Sequence, residues 1–120
     1  MLNQMVVVGR LVRDPELRET ENGKKVSNIT LAVPRSYKNS DGEYDTDFLD
    51  ITLWNNIAEN SVEYVTKGDL LGVKGRISSK SVEIDGISKN EIVLVAEKVT
   101  YLSNKKERDI DDSLEKDKDI

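Results

Sequence analysis

Residues 47–69, DFLDITLWNNIAENSVEYVTKGD, join a strand pattern directly to a helix pattern. In the first part, apolar and polar side chains alternate, which is the period of a β-strand with one buried face. In the second part, apolar residues recur at helical spacing, with Asn56 and Glu59 placed as a capping box and Gly68 where a helix commonly ends. The segment therefore predicts a strand followed without a loop by the one convincing helix of the chain.

Strand-like runs lie on both sides of this segment. Two runs precede it, at residues 5–12 and 26–33, and two follow it, at residues 70–78 and 91–102. Dipeptides that favour tight turns separate several of these elements: Asn22-Gly23, Asp41-Gly42 and Asp85-Gly86. The predicted order is three strands, one helix and two strands.

Glycines inside the strand-like runs favour a small closed barrel. Gly9, Gly72 and Gly75 interrupt the first and fourth runs, and a small barrel needs such residues where its strands bend sharply. A split β-sandwich or a ferredoxin-like sheet fits less well, because either misplaces the lone helix or requires a second one. We predict an all-β fold over residues 1–102, a five-stranded OB-fold Greek-key barrel with its helix between strands 3 and 4.

Composition limits the possible functions. A chain of 120 residues fits one domain, and it contains neither cysteine nor histidine. Without them, the chain lacks a thiolate nucleophile, a disulfide and the commonest general base and metal ligand. We therefore expect no enzymatic activity, no cofactor and no metal site.

The two ends of the chain give further expectations. The N-terminal apolar run is short and is broken by Gly9 and Arg10, so we expect neither a signal peptide nor a membrane span, and a cytoplasmic location. Residues 103–120, SNKKERDIDDSLEKDKDI, have no sustained apolar period and are predicted to form a disordered acidic tail. The net charge of −5 argues against a uniformly basic nucleic-acid-binding protein.

Two aromatic residues lie on the polar face of the strand in the opening segment. With a period of two, Phe48 and Trp54 share that face with Asp50 and Thr52. Six residues along a strand span about 20 Å, which suits two bases of an extended nucleic-acid strand. The alternative is that both rings pack under a loop, the helix or a second subunit.

Cations accompany these rings in two places. Tyr37 lies between Arg35 and Lys38, a mixture that suits a groove for bases and phosphates as well as an ordinary loop. In the fourth run, alternation predicts an inward row and an outward row. The inward row is Leu71, Val73, Gly75 and Ile77, and the outward row is Lys74, Arg76, Ser78 and Lys80. The outward row is either a phosphate track or solvated surface charge.

Four segments carry a resemblance to the bacterial-type single-stranded DNA-binding proteins. They are VGRLVRDPELR (8–18), VSNITLAV (26–33), DFLDITLWNNIAEN (47–60) and YVTKGDLLGVKGRI (64–77). The resemblance implies an OB barrel, usually assembled as a homotetramer. It also implies sequence-independent binding and protection of single-stranded DNA during replication, recombination and repair, without catalysis. The implied location is the cytoplasm, in association with the nucleoid.

The resemblance also implies roles for individual residues. Tyr37, Phe48 and Trp54 would stack on bases, and Arg10, Lys74 and Arg76 would contact phosphates. The complete predicted site is Arg10, Arg35, Tyr37, Lys38, Phe48, Trp54, Lys74, Arg76 and Lys80. The alternative function is an OB-fold replication or primosome accessory that acts through protein contacts or RNA.

The acidic tail departs from the pattern of the family. Family tails commonly end in several aspartates followed by an apolar residue, Pro and Phe, and such tips recruit replication and repair proteins. This chain ends in EKDKDI, without Pro or Phe. We therefore do not expect this tip to recruit such partners in the way that the family tails do.

Overall fold

A computed structural model describes residues 1–103 of the chain, and the predicted tail lies outside the described residues from position 104 onward. The described residues form six strands and one helix in the order β1 Met5–Leu11, β2 Arg18–Glu19, β3 Lys25–Lys38, β4 Tyr44–Trp54, α1 Asn55–Tyr64, β5 Leu70–Ile84 and β6 Ile87–Tyr101. The predicted order of the five long strands and the helix is confirmed. The two-residue strand β2 is an addition to it.

The five long strands close into a barrel. The strand order is β1-β5-β6-β4-β3-β2, and an additional pairing of β1 with β3 joins the two ends of the sheet. Neighbouring strands are antiparallel, except that β4 and β6 pair in parallel at Ile51 and Leu94. The predicted OB-type barrel is confirmed.

Two of the three strand glycines lie where another strand passes too close for a side chain. A Cβ at Gly9 would lie 2.7 Å from the carbonyl oxygen of Ala32, where β1 crosses β3. A Cβ at Gly75 would collide with the backbone of Val95, because β6 is irregular opposite this residue. Gly72 has room for a Cβ. The close approach of a second strand therefore accounts for Gly9 and Gly75 but not for Gly72.

One apolar core fills the barrel. It is formed by the inward side chains of the long strands and by Ala58 and Val65, which lie in and just after α1. Ile51 and Leu53 are buried, as the alternation of β4 predicts. Ile77 was predicted to point into the core, and that prediction is wrong, because the residue is 45 % exposed.

The exposure of Ile77 follows from the length of β5 and β6. Both strands continue past the barrel wall as a two-stranded arm, which ends at the pair Ile84 and Ile87. We call residues 77–92 the β5–β6 arm. Asp85 and Gly86 have φ of 52° and 78° and form the predicted tight turn at its tip.

The helix begins two residues earlier than the sequence predicts. Trp54 is its N-cap, with extended backbone and no side-chain cap, and Asn55 has a φ of 53°. This left-handed residue turns the chain from strand to helix within one position, and asparagine tolerates that conformation better than most residues. Asn56 therefore lies inside the first turn, and its predicted capping role is wrong.

The end of the helix also differs from the prediction. Val65 is the C-cap, with its N–H bonded to the carbonyl of Ser61. Gly68 follows in a turn with a φ of 91°, and its N–H donates to the carbonyl of Leu11 over 2.8 Å. The glycine therefore serves the connection between α1 and β5. Within the part of the chain that the structure describes, no helix has the length and apolar character of a membrane span.

Candidate nucleic-acid interface

The outward side of β4 carries two rings at the ends of a polar strip. Phe48 is 64 % exposed and Trp54 is 37 % exposed, and the strip between them contains Asp50 and Thr52. We call these four residues the β4 face. Their positions along the strand place the rings about 20 Å apart. The predicted sharing of one face by the two rings is present in the fold.

The polar residues of this strip are tied to the neighbouring strand. The hydroxyl of Thr30 donates to Oδ1 of Asp50 over 2.6 Å, and Nη2 of Arg13 donates to the same hydroxyl oxygen over 2.9 Å. The hydroxyl of Thr52 donates to Oδ1 of Asn28 over 3.1 Å. These cross-strand bonds hold the side chains between the rings in defined positions.

Trp54 opens onto a groove of about 620 Å³ between the β2 end of the barrel and the β5–β6 arm. We call it the Trp54 groove. The charged side chains that line it are Arg18, Arg76, Lys80 and Glu91, which is three cations against one carboxylate. This part of an acidic chain is therefore locally cationic.

The sequence predictions for Arg76 and Lys80 fit this arrangement, whereas Arg18 was missed. Arg18 lies in β2 opposite Val26, and Val26 pairs on its other side with Trp54. The segment around Arg18 has the pattern of a turn with charged side chains. The pairing that brings Arg18 beside Trp54 is long-range and leaves no signal in the local sequence.

Lys74 lies on another part of the barrel wall. It pairs with Val6 of β1 and with Lys98 of β6, whereas Arg76 pairs with Val95 beyond the irregularity at Gly75. Lys74 does not line the Trp54 groove. The predicted outward row is therefore divided between two neighbourhoods of the barrel surface.

Arg10 lies on the Phe48 side of the barrel. It lines a smaller depression of about 320 Å³ together with Ala32, which is the cross-strand neighbour of Phe48. Its Nη1 donates to the carbonyl of Gly68 over 3.1 Å. One side of its guanidinium is therefore already engaged.

Arg35, Tyr37 and Lys38 lie on the part of the β3–β4 hairpin that extends past the barrel. Nη2 of Arg35 contacts Oδ1 of Asp47 at 2.9 Å, and Nη1 lies 3.8 Å from Asp45. The hydrogen bond with Asp47 raises the pKa of Arg35, and the same bond lowers the pKa of Asp47. The charge of Arg35 is therefore balanced within the hairpin.

The two other hairpin residues are open to solvent. Lys38 has its Nζ 5.8 Å from the centre of the Tyr44 ring. Tyr37 is exposed and lines neither depression. Among residues 1–103, no group of three acidic side chains is arranged to hold a metal ion.

A closed five-stranded barrel with one helix, exposed rings on β4 and a cationic groove beside them defines an OB-fold protein with a nucleic-acid-binding type of surface. The chain belongs to the single-strand binding protein family, which matches residues 2–102. This family consists of DNA-binding proteins and is not a family of enzymes. The resemblance seen in the sequence is confirmed.

The chain is also similar in sequence to named proteins, and the aligned length differs from one to the next. The chain is 43 % identical to single-stranded DNA-binding protein B of Bacillus subtilis over 106 residues, which is 88 % of this chain and 94 % of the relative. It is 52 % identical to the single-stranded DNA-binding protein of Halalkalibacterium halodurans over 83 residues, 69 % of this chain and 49 % of the relative. It is 40 % identical to the Staphylococcus aureus protein of the same name over 115 residues, 95 % of this chain and 74 % of the relative.

Proposed function

We propose that this protein binds single-stranded DNA without sequence requirement and protects it during replication, recombination and repair. The observation that carries the proposal is the exposed ring of Trp54 at a groove lined by Arg18, Arg76 and Lys80. Every base has a flat π face, so ring stacking binds a strand whatever its sequence. A duplex hides those faces, so the proposed site selects single strands.

Stacking and charge contribute in different ways. The rings of Phe48 and Trp54 each stack on a base, which contributes roughly 1–3 kcal/mol per base. Tyr37 is proposed as a third stacking residue, because it is exposed on the hairpin beyond the Phe48 end of the β4 face. The cations of the Trp54 groove neutralise phosphates and release counterions, which makes the affinity depend on salt.

The other four proposed cations lie outside the Trp54 groove. Lys38 is exposed on the hairpin, and Lys74 is exposed on the β1 side of the barrel. Arg10 and Arg35 already donate to protein acceptors, so a phosphate would have to share or replace those contacts. We expect these four residues to contribute less than Arg76 and Lys80. The proposed function includes no catalytic step and no cofactor.

The outer face of β1 supports a homo-oligomer, proposed as a tetramer. Val6 is 69 % exposed and Val8 is 49 % exposed on adjacent outward positions of this strand. The strand pairs with β5 from Met5 to Arg10, but with β3 only at Arg10 and Leu11. A second copy would cover these apolar side chains and pair with the open edge of the strand.

Sedimentation equilibrium of the full chain tests the proposed assembly. A cytoplasmic location is part of the same proposal.

The proposed function is tested by titration with single strands and duplex. Trp54 is the one tryptophan of the chain, so quenching of intrinsic fluorescence reports on its ring. We expect oligo-dT to quench it deeply and a duplex of equal length to quench it little. Comparable affinity for oligo-U, or binding to neither nucleic acid, would instead support the accessory that acts through RNA or protein contacts.

The Phe48→Ala and Trp54→Ala variants test the stacking role directly. We expect each to lose roughly 1–3 kcal/mol of binding free energy for oligo-dT, measured by anisotropy of a labelled strand. Tyr64→Ala is the matched control, because Tyr64 is an exposed ring on α1, away from the β4 face. Unchanged affinity in both β4 variants, with intact folds, would contradict stacking on this face.

A further inference from the structure

A carboxylate lies in the middle of the β4 face, where a polyanion is proposed to pass. Asp50 is exposed, two residues from Phe48 and four from Trp54 on the same side of the strand. A cation at this position would bind phosphates, whereas a carboxylate repels them. The side chain is therefore suited to contact a different part of the strand, the edges of the bases.

Asp50 is held in one position by its neighbours. Thr30 is 93 % buried, and its hydroxyl donates its hydrogen to Oδ1 of Asp50 over 2.6 Å, while Arg13 donates to the Thr30 oxygen. Among the described residues, Oδ2 of Asp50 accepts no hydrogen bond. One carboxylate oxygen is thus anchored, and the other is a fixed acceptor open to solvent.

Among the residues that flank Phe48 on its side of β4 or lie opposite it on β3, Asp50 has the side chain that distinguishes one base edge from another. Asp50 lies about 7 Å along the strand from Phe48, so the edge of a base stacked on that ring comes within reach of the carboxylate. Ala32, opposite Phe48, offers no polar side chain. Thr46, on the other side of Phe48, has a hydroxyl that both donates and accepts, so it does not distinguish one base edge from another.

We propose that Asp50 reads the amino group of the base stacked on Phe48, so that this position favours cytosine over uracil or thymine. The N4 amino group of cytosine donates to a carboxylate, whereas O4 of uracil or thymine places a second acceptor against it. Adenine, with its N6 amino group, is favoured for the same reason. The inference rests on the proposed function, because it requires a strand on the β4 face.

The first experiment compares two strands that differ at one edge. Oligo-dC and oligo-dU of about eight nucleotides, within the length that one OB barrel covers, are titrated at pH 8 and constant salt. Neither base carries the thymine methyl group, so the two strands differ only along one base edge, in the group at position 4 and in the proton on N3. We expect wild-type protein to bind oligo-dC about tenfold more tightly, because the carboxylate accepts a hydrogen bond from the cytosine amino group and meets an acceptor at the same position of uracil.

Asp50→Asn converts the acceptor into a donor without changing its size. The Thr30 hydroxyl keeps its acceptor at the amide oxygen, which leaves the amide nitrogen in the place of Oδ2. That nitrogen donates to O4 of uracil and meets the amino group of cytosine with a second donor. We expect the preference to fall at least fivefold and to shift toward oligo-dU.

Asp47→Asn is the matched control. It removes one negative charge from the same strand, but Asp47 lies on the other side of β4 and pairs with Arg35. We expect its ratio of oligo-dC to oligo-dU affinity to equal that of wild type.

Equal affinity of wild type for both strands would overturn the inference. A parallel gain for both strands in Asp50→Asn would overturn it too, since it shows charge repulsion alone. Failure of wild type to bind any single strand would overturn the proposed function with it.

Discussion

Ser27 is a buried polar residue of β3. Its side chain is fully buried, and it lies opposite Leu53 in the ladder between β3 and β4. Among residues 1–103, no group bonds to its Oγ. Ser61 is equally buried, but its Oγ lies 3.1 Å from the hydroxyl of Tyr101. The two serines therefore have the same burial and opposite hydrogen-bonding states.

This contrast predicts opposite effects of two identical substitutions. Ser27→Ala removes an unpaired buried hydroxyl, and we expect the free energy of unfolding to rise by about 1 kcal/mol. Ser61→Ala removes a bonded hydroxyl and leaves that of Tyr101 without this partner, so we expect a fall of about 1–2 kcal/mol. Urea unfolding of both variants measures the difference. A loss of stability in Ser27→Ala would show that its hydroxyl is satisfied in solution.

At the scale of elements, β5 is one continuous strand that passes through two environments. Its first half forms barrel wall between β1 and β6, and its second half leaves the barrel as the β5–β6 arm. The change occurs at Gly75, where the register with β6 shifts. The close approach of Val95 to Gly75 at this shift leaves no space for a side chain. The arm, and with it one wall of the Trp54 groove, depends on this approach.

We therefore expect Gly75→Ala to be strongly destabilising. A methyl group there must push β6 away, at a cost of about 3 kcal/mol, the upper part of the range for overpacking. Gly72→Ala is the matched control in the same strand, and we expect it to change stability by less than about 1 kcal/mol, since its added Cβ meets nothing closer than 3.6 Å. Thermal unfolding ranks the two variants. Equal stability would mean that β6 yields freely at the irregularity.

At the scale of the whole molecule, net charge and local charge differ in sign. The chain carries a net charge of −5, yet Arg18, Arg76 and Lys80 outnumber the one acid among the residues lining the Trp54 groove. Acidic side chains elsewhere also balance particular cations, as Asp47 does for Arg35. The proposed contact with phosphates is therefore centred on a small part of the surface, while the negative net charge of the molecule repels polyanions at long range.

The salt dependence of binding measures this distribution. We expect Arg76→Ala and Lys80→Ala each to lower the slope of log affinity for oligo-dT against log salt by about 0.7, the value for one phosphate contact on a single strand. Arg35→Ala removes the same charge from a site where carboxylates balance it, so we expect a clearly smaller change. Equal changes in all three slopes would argue that the ion pairs of Arg35 open when the strand binds.

Much of this architecture follows from local pattern. The alternation in residues 47–54 identified the two faces of β4, and the switch to helical spacing placed α1 directly after that strand. Both depend on neighbours within a few positions, where backbone geometry alone determines which side chains share a face. The turn at Asp85 and Gly86 belongs to the same class, because its conformation is a property of the dipeptide.

Sequence by itself thus determined the order of elements, the barrel class and the shared face of Phe48 and Trp54. Only the tertiary structure decided which cations lie near Trp54, since Arg18 is brought beside it through β3, and Lys74 lies between β1 and β6 outside the Trp54 groove. It also decided that Ile77 lies outside the core, because the barrel wall ends before β5 does. The physical reason is that these relations depend on register between strands distant in sequence, and local periodicity carries no information about register.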